Sequence, residues 1–228
     1  MKSGVSFQLY FLHSGRSTQM LAQIAIALLS AEAAITAIVP DPNTKTKYLF
    51  VFGDSFTFTN FSIDGAKPSP SNPMGNPPPP GDTFCGGLAW PGYLATEFNT
   101  SVTLTFNFAS PGSTVDAAIV PPWKSDRLSL VDQFNNWAKS VQSKPAYAPW
   151  TPENALFATW IGINDLFNTF MEPEDQAAVV NRVLDGYFAR LGTLYAQGAR
   201  HFALLNVPRT FDLSRELRAR TLPPLTNP

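Results

Sequence analysis

Four short segments of strand character, three of them apolar runs closed by glycine or proline and one alternating, separated by stretches of helical periodicity, restrict this chain more than any other feature. Tyr48-Leu49-Phe50-Val51-Phe52 closes on Gly53, Val102 to Phe108 alternates apolar and polar, Ala155 to Ile163 carries Gly162 near its end, and Phe202 to Val207 stops at Pro208. Continuous apolar runs of this length suit strands buried on both faces. Between them, Trp90 to Phe98 sets Trp90, Leu94 and Phe98 four apart, and Leu128, Val131, Phe134, Asn135 and Ala138 follow helical spacing until Pro145 and Pro149. Glu174 to Gln197 places Ala177, Val180, Leu184, Phe188, Leu191 and Tyr195 at three and four spacing, with Gly198 where a helix would end. Strands that alternate with helices predict an α/β fold, a parallel sheet covered on both faces by right-handed crossovers.

The 228 residues suffice for one such domain with a substantial core, and 44% hydrophobic against 14% charged residues argues for a packed protein over a disordered one. Sixteen basic residues oppose seventeen acidic ones, so no net field draws the chain to nucleic acid. The single cysteine, Cys85, has no partner within the chain, and with two histidines it makes no usual zinc spacing; no metal and no cofactor is expected. From Asp64 to Gly86 proline, glycine, serine and asparagine dominate, including Pro77 to Pro80, which predicts a long surface loop over the edge of the sheet where the first strand ends.

Arg16, the apolar run from Met20 to Leu29 and the small residues Ala31, Ala33, Ala34 and Ala37 predict a secretory leader over residues 1–37; the alternatives are an extension or a start at Met20. The run is too short, and too interrupted by Gln23 and Glu32, for a membrane span, so no stable membrane insertion is expected. Asn60-Phe61-Ser62 and Asn99-Thr100-Ser101 are glycosylation sequons that suit an exported protein.

Three segments at strand ends carry candidate chemistry. Gly53-Asp54-Ser55 places a hydroxyl at the carboxyl edge of the sheet, where ligands bind in open α/β folds, although Asp and Ser there also suit a helix N-cap. In Asn107-Phe108-Ala109-Ser110-Pro111-Gly112, Gly112 can bring a bare N–H close to a substrate, or serve only as a turn glycine. In Trp160-Ile161-Gly162-Ile163-Asn164-Asp165 the Asn164 amide can donate to an oxyanion, or close an Asx turn. A serine attacks an ester only with a base to take its proton and with donors fixed around the developing oxyanion. These segments leave consecutive strands of one parallel sheet, so their side chains should converge on one side of it.

The set resembles three of the four sequence blocks of the GDSL, or SGNH, hydrolases. The resemblance implies a three-layer α/β/α, flavodoxin-like fold with a mostly parallel sheet. It carries the nucleophile and one oxyanion N–H onto Ser55, further oxyanion donors onto Gly112 and Asn164, and supporting places onto Gly53, Asp54, Gly162 and Asp165. Thr83 to Trp90 and Leu128-Ser129-Leu130-Val131-Asp132-Gln133-Phe134 look like the secreted fungal branch that contains carbohydrate acetylesterases of family 16. That implies a small acyl ester or an acetylated oligosaccharide as substrate.

The family's fourth block, Asp-x-x-His, does not occur in this sequence. The histidines are His13, in the leader, and His201, which begins the fourth strand and so should lie at the edge away from Ser55. The hydrolase domain is therefore expected over residues 45–228 with its carboxyl part missing, and the chain is expected to be nearly inactive. Cys85 then either pairs with a residue of the missing part or is a free buried thiol. A glycan-binding relic without the base competes with the ester hydrolase. A nucleotide-binding enzyme is disfavoured because neither the phosphate-loop nor the dinucleotide fingerprint appears.

Overall fold

The computed structural model describes residues 46–208, except 171 and 173. The expected leader over residues 1–37, with His13 and the choice between Met1 and Met20, lies outside the described residues. The four strands are β1 (Thr46–Gly53), β2 (Val102–Asn107), β3 (Ala155–Trp160) and β4 (His201–Leu205). They pair in the order β2-β1-β3-β4, all parallel. The helices are α1 (Trp90–Thr96), α2 (Leu130–Trp137), extended by a π turn over Ala138–Gln142, α3 (Ile163–Thr169) and α4 (Gln176–Ala196).

Alternation along β1 assigns the layers. Tyr48, Phe50 and Phe52 enter the larger core, with Phe106, Phe157, Trp137 and Trp150 and, from α4, Val179, Val183 and Leu194. Leu49 and Val51 point to the other face, where Trp90 and Leu94 of α1 cover them. The first crossover thus lies on one face and the next two on the opposite face. The chain leaves β1 in one direction and returns past it in the other, so the switch point falls between β1 and β3, where an α/β sheet of this order opens a crevice. The core packs by rings: Phe50 lies 5.0 Å from Phe157 and 5.7 Å from Trp150, and Trp137 lies 5.9 Å from Trp150.

Several element boundaries differ from the sequence-based expectation. α1 ends at Thr96, and Phe98 is exposed, because Asn99 folds its amide back onto the Leu94 and Ala95 carbonyls and closes the helix. In α2 the buried face is Leu130, Gln133, Phe134 and Trp137, whereas Leu128 precedes the helix and is exposed. In α4 the buried stripe is Val179, Val183, Leu191 and Leu194; Leu191 is as predicted, and the other three sit one position before the predicted Val180, Leu184 and Tyr195. That helix is apolar on more than one side, so spacing alone offered two stripes. β3 stops at Trp160, and Ile163, Asn164 and Asp165 begin α3, a helix the spacing did not predict.

The loop from Asp64 to Gly86 has no regular element beyond a Ser69–Asn72 bridge, as its composition predicts. It also covers the free edge of β2: the Thr105 N–H donates to the Pro73 carbonyl at 2.8 Å, and Met74 is buried. Asn76 ties it internally, accepting from Ser62 N–H and donating to the Ser62 and Ala66 carbonyls. Cys85 is exposed, which removes the buried-thiol reading; its Sγ lies 3.4 Å from the Gly87 carbonyl.

Candidate active site

Gly53 ends β1 opposite Trp160 of β3, and a Cβ built on it would sit 2.5 Å from the Trp160 carbonyl oxygen. Only a residue without a side chain lets the two strand ends close to this distance. The chain then turns sharply. Phe56 N–H donates to Asp54 Oδ1 at 3.0 Å, and Thr57 and Phe58 N–H both donate to the Asp54 carbonyl. No helix begins here, so the N-cap alternative falls away; Asp54 closes a turn instead and leaves half-buried Ser55 at its tip. Two further side chains hold the turn: Asn107, at the end of β2, donates to the Thr57 carbonyl at 2.6 Å, and the Trp90 indole N–H donates to Thr57 Oγ1 at 3.1 Å.

The loop after β2 is joined to this turn through the Ser110 N–H, which donates to the Gly53 carbonyl at 3.1 Å. Gly112 is buried with φ +74°, and the Trp123 indole occupies the place its side chain would take, with Nε1 2.1 Å from a built Cβ. Glycine is needed there on both counts. Asn164, in the first turn of α3, sends its amide to the Ser113 carbonyl at 2.9 Å. It does not close an Asx turn; it bonds the residue that follows Gly112. The next residue, Asp165, accepts the Val115 N–H at 3.0 Å. Hydrogen bonds between immediate neighbours thus link the three segments at the carboxyl edge of the sheet.

Two carboxyl groups lie buried beneath them. Burial pushes Asp54 up to about 6 against the opposing pull of the Phe56 N–H. Burial also pushes Asp165 up to about 6, with the charges of Asp54 and Asp116 adding to the rise. Asp54 Oδ2 is buried without a partner.

His201 is paired with Leu156, which in turn pairs with Leu49 of β1. Six residues separate that level from Ser55, roughly 20 Å along a strand, so His201 belongs to the opposite edge of the sheet. Of the aromatic residues near the blocks, Phe61 packs on Phe106 and Phe108 as part of the core. Phe56, 5.2 Å from Trp160, and Trp123 and Phe167 are exposed. A cavity of about 260 Å³ lies between α4 and the end of β4, lined by Val115, Asp165, Val183, Tyr187 and Val207 among others. Neither Ser55 nor Gly112 lines it, so it is a separate feature from the edge where the three segments meet.

The sequence reading missed Gln133 as a site-shaping residue, and missed the packing of Trp123 on Gly112. Gln133 had a visible signal, being a polar residue on the same helical stripe as Leu130, Phe134 and Trp137. The packing of Trp123 on Gly112 had none, since only the folded loop brings the two together.

A family model described as GDSL-like Lipase/Acylhydrolase matches residues 49–214. The chain belongs to that family. An acetylesterase of Thermothelomyces thermophilus is 47% identical to it over 191 residues, which cover 83% of this chain and 63% of that protein. An acetylesterase of Hypocrea jecorina is 30% identical over 178 residues, 75% of this chain and 50% of that protein. The chain thus spans between half and two thirds of the length of these curated relatives. The all-parallel sheet with helices on both faces agrees with the fold expected of a GDSL hydrolase.

Proposed function

We propose that the protein is a carboxylic ester hydrolase in which Ser55 attacks the ester carbonyl and the oxyanion is held by the N–H groups of Ser55 and Gly112 and the Asn164 amide. The carrying observation is the chain of bonds from Gly53 through Ser110 and Ser113 to Asn164, which supports one shared volume for the three groups. An amide nitrogen has two N–H bonds, so Asn164 can serve the Ser113 carbonyl and a substrate oxygen together. Donors fixed in this way act without reorganising when charge develops, and removing one from an oxyanion hole costs about 10²–10³ in rate.

Acylation needs Ser55 to lose its proton, and deacylation needs water to lose one. His201 is too far away for either, since a general base must come within about 3 Å. Within this 228-residue chain we therefore expect slow acylation driven by solvent hydroxide. Acetyl groups on carbohydrate are the proposed substrates, which rests on the two acetylesterase relatives. Export is part of the same proposal. It is supported by the exposure of Asn60 and Asn99 in their sequons.

The test is p-nitrophenyl acetate cleavage with mass analysis of the Ser55 peptide. The expected result is slow acetylation at Ser55, absent in Ser55→Ala and about 10²-fold slower in Asn164→Ala. Equal release by Ser55→Ala would contradict the nucleophile. Turnover matching that of a longer relative would contradict the missing base.

A further inference from the structure

We propose that Gln133 is a positioning residue for the Ser55 site, clamping the nucleophile turn and the glycine loop in a single register. The inference rests on the esterase reading above, because it concerns the same three groups.

Gln133 is fully buried, and its amide faces the Gly53 peptide as a neighbouring strand would. Its Oε1 accepts the Gly53 N–H at 2.9 Å, and its Nε2 donates to the Gly53 carbonyl at 2.9 Å. The second N–H of the same amide donates to Ser113 Oγ at 2.7 Å, and the Ser113 hydroxyl donates to the Leu128 carbonyl at 2.5 Å. One side chain therefore bonds the residue two before Ser55 and the residue one after Gly112. The Ser113 carbonyl in turn takes the Asn164 amide. Two of the proposed oxyanion donors, Ser55 N–H and Gly112 N–H, thus lie within two residues of one that Gln133 bonds, and the third, the Asn164 amide, bonds the Ser113 carbonyl.

The helix that delivers Gln133 is itself fixed to the glycine loop. Ser129 and Asp132 form a capping box at its start, and Leu130 N–H donates to the Thr114 carbonyl at 2.9 Å. A glutamine fits where no hydrocarbon would, because the site asks for one acceptor and two donors in a buried place. An apolar residue of the same size would fill the space and leave the Gly53 N–H without its partner. Small displacements of reacting groups cost far more in rate than in folding, which is why this clamp should be felt at Ser55.

The test uses the full chain, Gln133→Met and Gln133→Glu. Two measurements are made: exchange of the Gly53 amide proton relative to that of Phe52, and acetylation of Ser55 by p-nitrophenyl acetate. Gln133→Met should speed Gly53 exchange at least tenfold, and should slow Ser55 acetylation by about 10²-fold with little change in the ester concentration for half-maximal rate. Gln133→Glu separates clamping from space filling. When protonated it offers an acceptor and one donor to Gly53, and when ionised it offers acceptors only. Its acetylation rate relative to the parent should therefore recover at about pH 5 and collapse at about pH 8, while that of Gln133→Met stays flat. Parent-like exchange and acetylation in Gln133→Met would overturn the proposal, as would a Gln133→Glu ratio that does not respond to pH. A parent chain that leaves Ser55 unmodified, while Gly53 exchange still responds to Gln133→Met, would overturn the esterase reading and with it any role of the clamp in the reaction.

Discussion

Asp165 shows how one residue can serve the site and burden the fold. It brings the Val115 N–H onto α3, yet it is buried and feels the charges of Asp54 and Asp116, while Arg190 is ion-paired to Asp116 at 3.7 Å. Its folded-state value of about 6 lies above the ordinary 3.8. Between about pH 4 and pH 6 the unfolded chain gives up this proton before the folded one does. The stability contributed by the neutral carboxyl is therefore full below that window and is lost as pH rises through it. A shift of this size corresponds to about 3 kcal/mol. Asp165→Asn keeps an acceptor for the Val115 N–H and removes the titration. Its urea-unfolding free energy should exceed that of the parent by up to about 3 kcal/mol at pH 7.5 and match it at pH 4. An unchanged difference between the two pH values would refute the assignment.

At the scale of elements, α2 depends on its first turn, because that turn aligns Gln133 with Gly53. Ser129 accepts from the Asp132 N–H, and Asp132 accepts in return from the Ser129 N–H at 2.9 Å. Ser129→Ala should cost about 1 kcal/mol in thermal or urea unfolding, as loss of a cap usually does. A neutral result would show that the bond from Leu130 to Thr114 fixes the helix by itself. The strands were legible in the sequence from unbroken apolar runs such as Tyr48 to Phe52 and, for β2, from the alternation of Val102 to Phe108. The helix faces were less so. Val180 and Leu184 suit a buried stripe as well as Val179 and Val183 do, and only the position of the aromatic core decides between them. α3 was hidden because seven residues give too little periodicity, and its start at Gly162 looked like the close of a strand.

For the whole molecule, the order β2-β1-β3-β4 puts the Ser55 turn in the middle of the sheet, flanked by the loops that follow β2 and β3. That placement is why short motifs could nominate Ser55, Gly112 and Asn164 together, since strand ends in a parallel sheet share one edge. What could not be read was which partners support them: the polar position of Gln133 was visible, but its bonds to Gly53, those of Asn107 to the Thr57 turn and the packing of Trp123 on Gly112 appear only in the fold. The Asp64 to Gly86 loop has an additional role at this scale, as it pairs Pro73 with the outer edge of β2. Replacing it with a short Gly/Ser linker should expose that edge and produce concentration-dependent oligomers on size-exclusion chromatography. A monomeric variant would show that the edge is protected by other means.

A crystal structure of the chain after reaction with a small alkyl phosphonate ester tests the central claim most directly. The account predicts phosphorus on Ser55 Oγ, with one phosphoryl oxygen about 3 Å from each of Ser55 N, Gly112 N and Asn164 Nδ2. A phosphoryl oxygen turned to solvent, or an adduct on another residue, would contradict it.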